Sequence, residues 1–225
     1  SQVYLVEEGP AQAGASSAGH RIGLRRIAGE VISQMLNVPI LTGILITFLF
    51  FRLPYGVPNR LTSFGWALAF LCLIPLSSLL FYIPGKLKER AKVVRRQRIA
   101  SFVFMLVSYP LGFLALRLSH APRIFEAIAV TYTLVTLGLI VFNGVFRYKA
   151  SGHAAGVAGP VAAMVYLFGA IALPLVALLP LVTWARVAAK GHDVGQTVVG
   201  AVLSLAIGIM VLYFYGFLPF SGLIY

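Results

Sequence analysis

The sequence has little charge, one cysteine and one aspartate. Charged residues make up 11% of its 225 residues, whereas a soluble domain usually contains about a quarter. A single cysteine, Cys72, excludes a disulfide within the chain. One cysteine, one aspartate and four scattered histidines do not make a ligand set, so we expect no metal and no other cofactor.

Apolar residues are abundant instead. They form 60% of the chain, and the mean hydropathy is +0.92. A water-soluble globule of this size could not bury so much apolar surface, whereas a bilayer is itself an apolar solvent. The composition therefore predicts an all-α integral membrane protein. We expect a flexible N-terminal tail at residues 1–20, which lack the apolar core of a signal peptide, and a single transmembrane helical domain at residues 21–225.

Long apolar runs divide this domain into membrane spans of about 20 residues. Five runs each predict one crossing: 36–51, 63–83, 99–116, 124–146 and 194–218. A sixth run, 154–185, is too long for one helix across a bilayer and short for two full spans. Two short helices turning near Gly169 fit it best. The total is then about seven crossings, or six if this run crosses once.

The segment before the first span is amphipathic. Between residues 23 and 35, Ile27 and Val31 can share a face with other apolar residues, while Arg25 and Arg26 lie elsewhere. This pattern indicates either a short helix in the membrane interface or the solvated start of the first span.

The net charge of +12 is confined to short segments between apolar runs, which is typical of membrane loops rather than of a nucleic-acid binder. With seven crossings, 14 basic residues lie on the side of the N-terminus and 4 on the other side. With six crossings the division is 12 against 6. The positive-inside rule therefore predicts a multi-pass protein of the cell membrane whose basic loops face the cytoplasm.

The side chains that could take part in binding or catalysis lie in three of these loops: residues 86–98, 149–153 and 184–196. Arginine and lysine neutralise phosphoryl oxygens, and a serine–glycine pair at a helix start offers a hydroxyl and backbone N–H groups to an anion. Two histidines can have different roles, since one can attack phosphorus while the other protonates the leaving oxygen. The loops together indicate a phosphate site.

The order and spacing of these residues resemble the type 2 phosphatidic acid phosphatase (PAP2) superfamily. That family carries Lys-x6-Arg-Pro, then Pro-Ser-Gly-His, then Ser-Arg-x5-His-x3-Asp. Here the second motif reads Ala-Ser-Gly-His over residues 150–153, and the third runs from Ala185-Arg186 through His192 to Gln196. In the first motif Lys88 and Arg95 have the x6 spacing, although arginine follows where the family has proline. The resemblance covers residues 86–200 and implies a PAP2-like helical core.

The resemblance implies a role for each matching position. His192 would be the nucleophile that becomes phosphohistidine, and His153 would be the general acid for the leaving group. Gln196 stands where the family has the aspartate that orients the nucleophile, and its carbonyl can accept the Nδ1 proton without adding negative charge. The phosphate would be bound by Arg186, Ser151, Gly152, Lys149, Lys88, Arg95 and Arg98, of which Arg98 is an alternative anchor to the first motif.

Two functions follow from this resemblance. One is a phosphatase that hydrolyses a lipid phosphate or an isoprenoid (di)phosphate, an amphiphilic substrate whose tail lies among the membrane lipids. Because Gln196 replaces an aspartate, the other is a catalytically weak or inactive relative that binds phosphorylated lipid or serves as a subunit of a membrane complex. A transporter or channel is disfavoured, since charges within the spans are nearly absent.

Overall fold

The computed structural model describes residues 11–81 and 90–222, with side chains for residues 23–78, 80 and 99–222. Within these ranges the chain is helical, with turns and loops and no strand. Five helical stretches are long and apolar enough to cross a membrane, with Gly152–Ala188 counted as one stretch, and there are six if Gly23–Met35 and Val38–Arg52 together form one bent span. This confirms the prediction of an all-helical chain with several helices suited to a bilayer.

The described residues contain nine α-helices, in chain order: α1 Ala11–Met35, α2 Val38–Arg52, α3 Arg60–Leu68, α4 Ile74–Ser77, α5 Arg90–Leu118, α6 Arg123–Gly144, α7 Gly152–Phe168, α8 Leu178–Ala188 and α9 Val194–Phe214. A π-helical turn, Ala69–Leu73, joins α3 to α4. Pro75, near the start of α4, has no backbone N–H to donate to a helical hydrogen bond. A 3₁₀ segment, Ser78–Phe81, follows α4, and another, Gly169–Ala177, joins α7 to α8.

The first helix begins within the predicted tail, and it packs on the protein through small residues. It begins at Ala11, so residues 11–20, which we predicted as tail, have a helical backbone, as their many alanines favour. The predicted apolar face does not pack on the protein, because Ile27 and Val31 are 59% and 53% exposed. Among residues 23–35, whose side chains are described, the buried positions are Gly29 and Ser33. Small residues let helices approach closely in a membrane, whereas large apolar ones can face lipid.

A bend of 41° separates the end of α1 from α2. Asn37 precedes α2 with an extended backbone, and Pro39 occupies its first turn, where a missing N–H costs no helical hydrogen bond. Both interpretations of residues 23–35, an interfacial helix or the start of a bent span, are compatible with this geometry.

The run 154–185 reverses direction, as the sequence predicted. Gly169 ends α7 with φ +61° and ψ −133°, a conformation that glycine adopts at little cost. Beyond it, Val182 of α8 packs with Val157 and Val161 of α7 in one buried cluster. The returning chain ends beside its own start, since Lys149 Nζ donates a hydrogen bond to the carbonyl of Gly191 at 2.8 Å.

The loops lie at two opposite ends of the helices. The loops before α7 and before α9 share one end, which we call the motif end (residues 147–151 and 189–193). At the other end, the Phe220 N–H donates to the carbonyl of Tyr166 at 2.7 Å. There too the Arg117 guanidinium lies 3.5 Å from the carboxylate of Glu126, which is 4% exposed. A buried apolar core, which includes Ile46, lies between the two ends.

Helices α7 and α9 meet most closely at the motif end. The Ser151 N–H donates to the carbonyl of Gln196 at 2.9 Å. A Cβ atom at Gly200, one turn further along α9, would overlap with the carbonyl oxygen of Ser151. The absence of a side chain at Gly200 therefore sets the distance between the second and third motifs.

We predict that Gly200→Ala destabilises the protein by about 1–3 kcal/mol, because the added methyl meets backbone that cannot move independently. The matched control is Gly208→Ala in the same helix, where the nearest atoms to an added Cβ are 3.8 and 3.9 Å away. Thermal unfolding in detergent should show a lower midpoint for Gly200→Ala only. Equal midpoints for the two variants would contradict this close approach.

Candidate active site

A tight loop brings His192 back over the end of α8. Lys190 has a positive φ of 53°, and the N–H groups of Gly191 and His192 both donate to the carbonyl of Arg186, at 3.0 and 3.3 Å. A Cβ at Gly191 would lie 2.5 Å from Nη2 of Arg186. The loop therefore passes close to the guanidinium of Arg186 at a residue that has no side chain.

The His192 ring is oriented through its Nδ1 atom. Nδ1 lies 2.9 Å from Oε1 of Gln196 and 3.2 Å from the carbonyl oxygen of Lys149. Both neighbours are acceptors, so Nδ1 carries the proton in the neutral ring and the lone pair is on Nε2. This is the contact that the predicted role of Gln196 requires, and it leaves a nucleophilic nitrogen on the opposite edge of the ring.

Asp193 caps helix α9, whereas the aspartate of the PAP2 motif orients the histidine. Its Oδ1 accepts a hydrogen bond from the backbone N–H of Gln196 at 2.8 Å, which makes Asp193 the N-cap of α9. The cap fixes the first turn of α9, and with it the position from which Gln196 contacts His192. Asp193 therefore supports the orienting residue rather than replacing it.

The second motif begins α7. Ser151 is fully buried and is the N-cap, since its Oγ accepts from the Ala154 N–H at 3.4 Å. Gly152 and His153 are the first two residues of the helix, and both are partly exposed. The N-terminus of a helix carries partial positive charge and attracts anions. Because Ser151 also donates its N–H to Gln196, this end of α7 lies beside the start of α9.

Two positive side chains adjoin His192. Burial, followed by the charges of Arg186 and of Lys149, lowers the pKa of His192 to about 4, although its contacts with Gln196 and the Lys149 carbonyl oppose the shift. The ring is therefore neutral at pH 7. A neutral nucleophile beside two cations suits a bound anion. In the described part of the chain, no group of three or more metal-ligating side chains could hold a metal ion.

The structure brings most of the predicted site residues together. Hydrogen bonds and charge interactions join the second and third motifs through Lys149, Ser151, Arg186, His192 and Gln196. Gly152 and His153 follow directly on Ser151. Their predicted roles in phosphate binding and proton transfer stay predictions.

The first motif is only partly described. Lys88 lies outside the described residues, and Arg95 and Arg98 belong to the backbone of α5 with side chains outside the described set. The start of α5 nevertheless lies near the motif end, because Phe102 packs against the cluster that contains Ala150. The backbone of Arg98 is one helical turn from this contact.

Sequence reasoning missed Ser33 of α1. Nη1 of Arg186 donates to Oγ of Ser33 at 2.9 Å, although the two residues are 153 positions apart. Ser33 is 1% exposed. The available signal was the spacing of Gly29 and Ser33, since two small residues four positions apart are typical of a close helix contact in membranes.

Comparisons with protein-family models, with curated protein sequences and with solved structures found no match for this chain. The PAP2 resemblance therefore rests on the sequence motifs alone.

We predict that His192 titrates near pH 4. Its ordinary pKa is about 6.5, so between these values the unfolded chain binds more protons than the folded one. The free energy of unfolding should therefore fall as the pH falls from about 6.5 to about 4. Histidine side-chain NMR of the protein in detergent measures the titration directly.

Gln196→Leu serves as the comparison, because the lost hydrogen bond supports the protonated ring. Its His192 pKa should lie below that of the wild type. A wild-type midpoint near 6.5 would mean that the ring is neither buried nor close to the two cations.

Proposed function

We propose that this protein is a membrane phosphatase that hydrolyses a lipid phosphate or an isoprenoid (di)phosphate through a phosphohistidine intermediate. The observation that carries the proposal is the state of His192. Its Nδ1 proton is directed at Gln196 and the Lys149 carbonyl, its Nε2 lone pair is available, and Arg186 and Lys149 lie close enough to depress its pKa. These are the properties of a histidine that attacks an anionic phosphorus centre.

In the first step, Nε2 of His192 attacks phosphorus and forms the N–P bond while the P–O bond to the substrate's leaving group breaks. His153, protonated at this stage, gives its proton to the leaving oxygen. Arg186 and Lys149 neutralise the phosphoryl oxygens, and the N-terminus of α7 adds its partial positive charge. Most of the rate enhancement would come from this positioning and charge stabilisation.

In the second step, water attacks the phosphohistidine. His153, now neutral, takes a proton from the water as the O–P bond forms and the N–P bond breaks. Inorganic phosphate leaves, and Nε2 regains its lone pair. The Nδ1 contact with Gln196 keeps the ring in one orientation through both steps.

The neutrality of Gln196 favours one alternative, a protein that binds phosphorylated lipid with little or no turnover. When Nε2 bonds to phosphorus the ring becomes positive, and a carboxylate would stabilise that charge better than an amide does. Asp193 does not compensate, because its Oδ1 caps α9. The two functions share the same anion site and differ in the stability of the intermediate.

The membrane arrangement supports a substrate with an apolar tail. We infer that α7 and α8 each cross the bilayer, which gives seven crossings, because the two ends of this hairpin meet at Lys149 and Gly191. The positive-inside rule then places the motif end on the cytoplasmic face of the cell membrane. A phosphate headgroup would reach the site from the interface while its tail remained in lipid.

For the purified protein, we predict vanadate-sensitive release of phosphate from a panel of lipid phosphates and polyprenyl diphosphates. His192→Ala should remove the activity, and Gln196→Leu should lower it about 10–100-fold, since it removes the residue that orients the nucleophile. His120→Ala, at the opposite end, is the matched control and should leave the rate unchanged. Binding of the same lipids without any turnover would instead establish the alternative.

A separate prediction concerns topology. Single cysteines at positions 149 and 190, introduced into a Cys72→Ala background, should be protected from a membrane-impermeant thiol reagent in intact cells. Both should react once the membrane is permeabilised. A cysteine at position 55, at the other end, should react in intact cells. Labelling of positions 149 and 190 from outside would refute the cytoplasmic site.

A further inference from the structure

Helix α1 packs on the end of α8 at very short distance. A Cβ at Gly29 would lie 2.8 Å from the carbonyl oxygen of Ala185 and 2.8 Å from the Cβ of Ala188. Real Cβ atoms essentially never come this close to such atoms, so residue 29 must be glycine for the two backbones to meet. The contact fixes α1 relative to the helix that carries Arg186.

Ser33 lies one turn beyond Gly29 on the same face of α1. Its hydroxyl is buried and accepts a hydrogen bond from Nη1 of Arg186 at 2.9 Å. Because the backbone of α1 is held by the Gly29 contact, the hydroxyl occupies a defined position. It therefore offers the guanidinium a fixed acceptor rather than a mobile one.

The opposite edge of the same guanidinium faces the His192 loop. Nη2 of Arg186 lies 2.5 Å from the place that a Cβ at Gly191 would occupy. The guanidinium is planar and its N–H groups form a rigid fork, so an acceptor on one nitrogen sets the direction of the others. Fixing one nitrogen of a long side chain restricts the rotamers that the whole side chain can adopt.

We propose that Ser33 is a positioning residue that holds the Arg186 guanidinium beside His192, so that α1 forms part of the anion site. The proposal rests on the proposed function for the identity of the anion, a phosphoryl group. It goes further in assigning a catalytic contribution to a helix that lies outside the three motifs. The consequence is that phosphate affinity depends on a hydroxyl that need not touch phosphate.

The experiment uses the full chain in nanodiscs and inorganic phosphate as the probe. We expect Ser33→Ala to weaken phosphate binding about tenfold, as for the loss of a hydrogen bond to a charged group. The pKa of His192, followed by NMR, should rise toward its ordinary value because the guanidinium is no longer held nearby. Ser204→Ala, a buried serine between α7 and α9, is the matched control and should change neither quantity.

A double-mutant cycle separates positioning from packing. In an Arg186→Lys background, Ser33→Ala should have no further effect on phosphate affinity, because the group it orients is gone. Equal effects of Ser33→Ala in both backgrounds, or affinity within twofold of wild type with an unchanged His192 titration, would overturn the proposal.

A failure of the proposed function would give a different experimental result from a failure of the role of Ser33. If the wild type bound no phosphate, the phosphatase assignment would fail. The His192 titration of Ser33→Ala would still decide whether Ser33 positions Arg186, since that measurement needs no ligand.

Discussion

The hydrogen bond between the Ser151 N–H and the Gln196 carbonyl is the contact on which the rest of the site depends. It joins the first residue before α7 to the first turn of α9, with no side chain at Gly200 to separate them. The contact is possible because the α7–α8 hairpin returns the chain to the end of the bundle at which α7 begins. Once the two helix starts meet, the Lys149 carbonyl reaches Nδ1 of His192, and two distant motifs become one site.

The electrostatics of this junction explain why it suits an anion. Arg186 and Lys149 add positive charge where burial already disfavours a charged imidazole, so His192 stays neutral. Cations held near a low-dielectric region interact more strongly with a bound anion than they would in water. The N-terminus of α7 adds to the same field. The fold therefore places a neutral imidazole beside two basic side chains, at the edge of a hydrophobic bundle.

The sequence predicted the parts that depend on local pattern. Hydropathy located the helices and Gly169 marked the reversal, while the resemblance to the third motif implied the contact of His192 with Gln196. It did not predict which helix faces meet, because packing partners far apart in the chain leave no periodic signal. The contact of Ser33 with Arg186 is of this kind. The amphipathic pattern of residues 23–35 likewise does not say which face of α1 packs on the protein, since in lipid the large apolar face need not be the packed one.

The most direct test of the central claim, that His192 is a nucleophile at a phosphoryl-binding site, is to trap the intermediate. Protein incubated with a ³²P-labelled polyprenyl phosphate would be quenched in alkali, where phosphohistidine survives, and the labelled peptide mapped by mass spectrometry. The account predicts phosphate on Nε2 of His192 and on no other residue. Phosphate release without any labelled histidine, or label retained in His192→Ala, would contradict it.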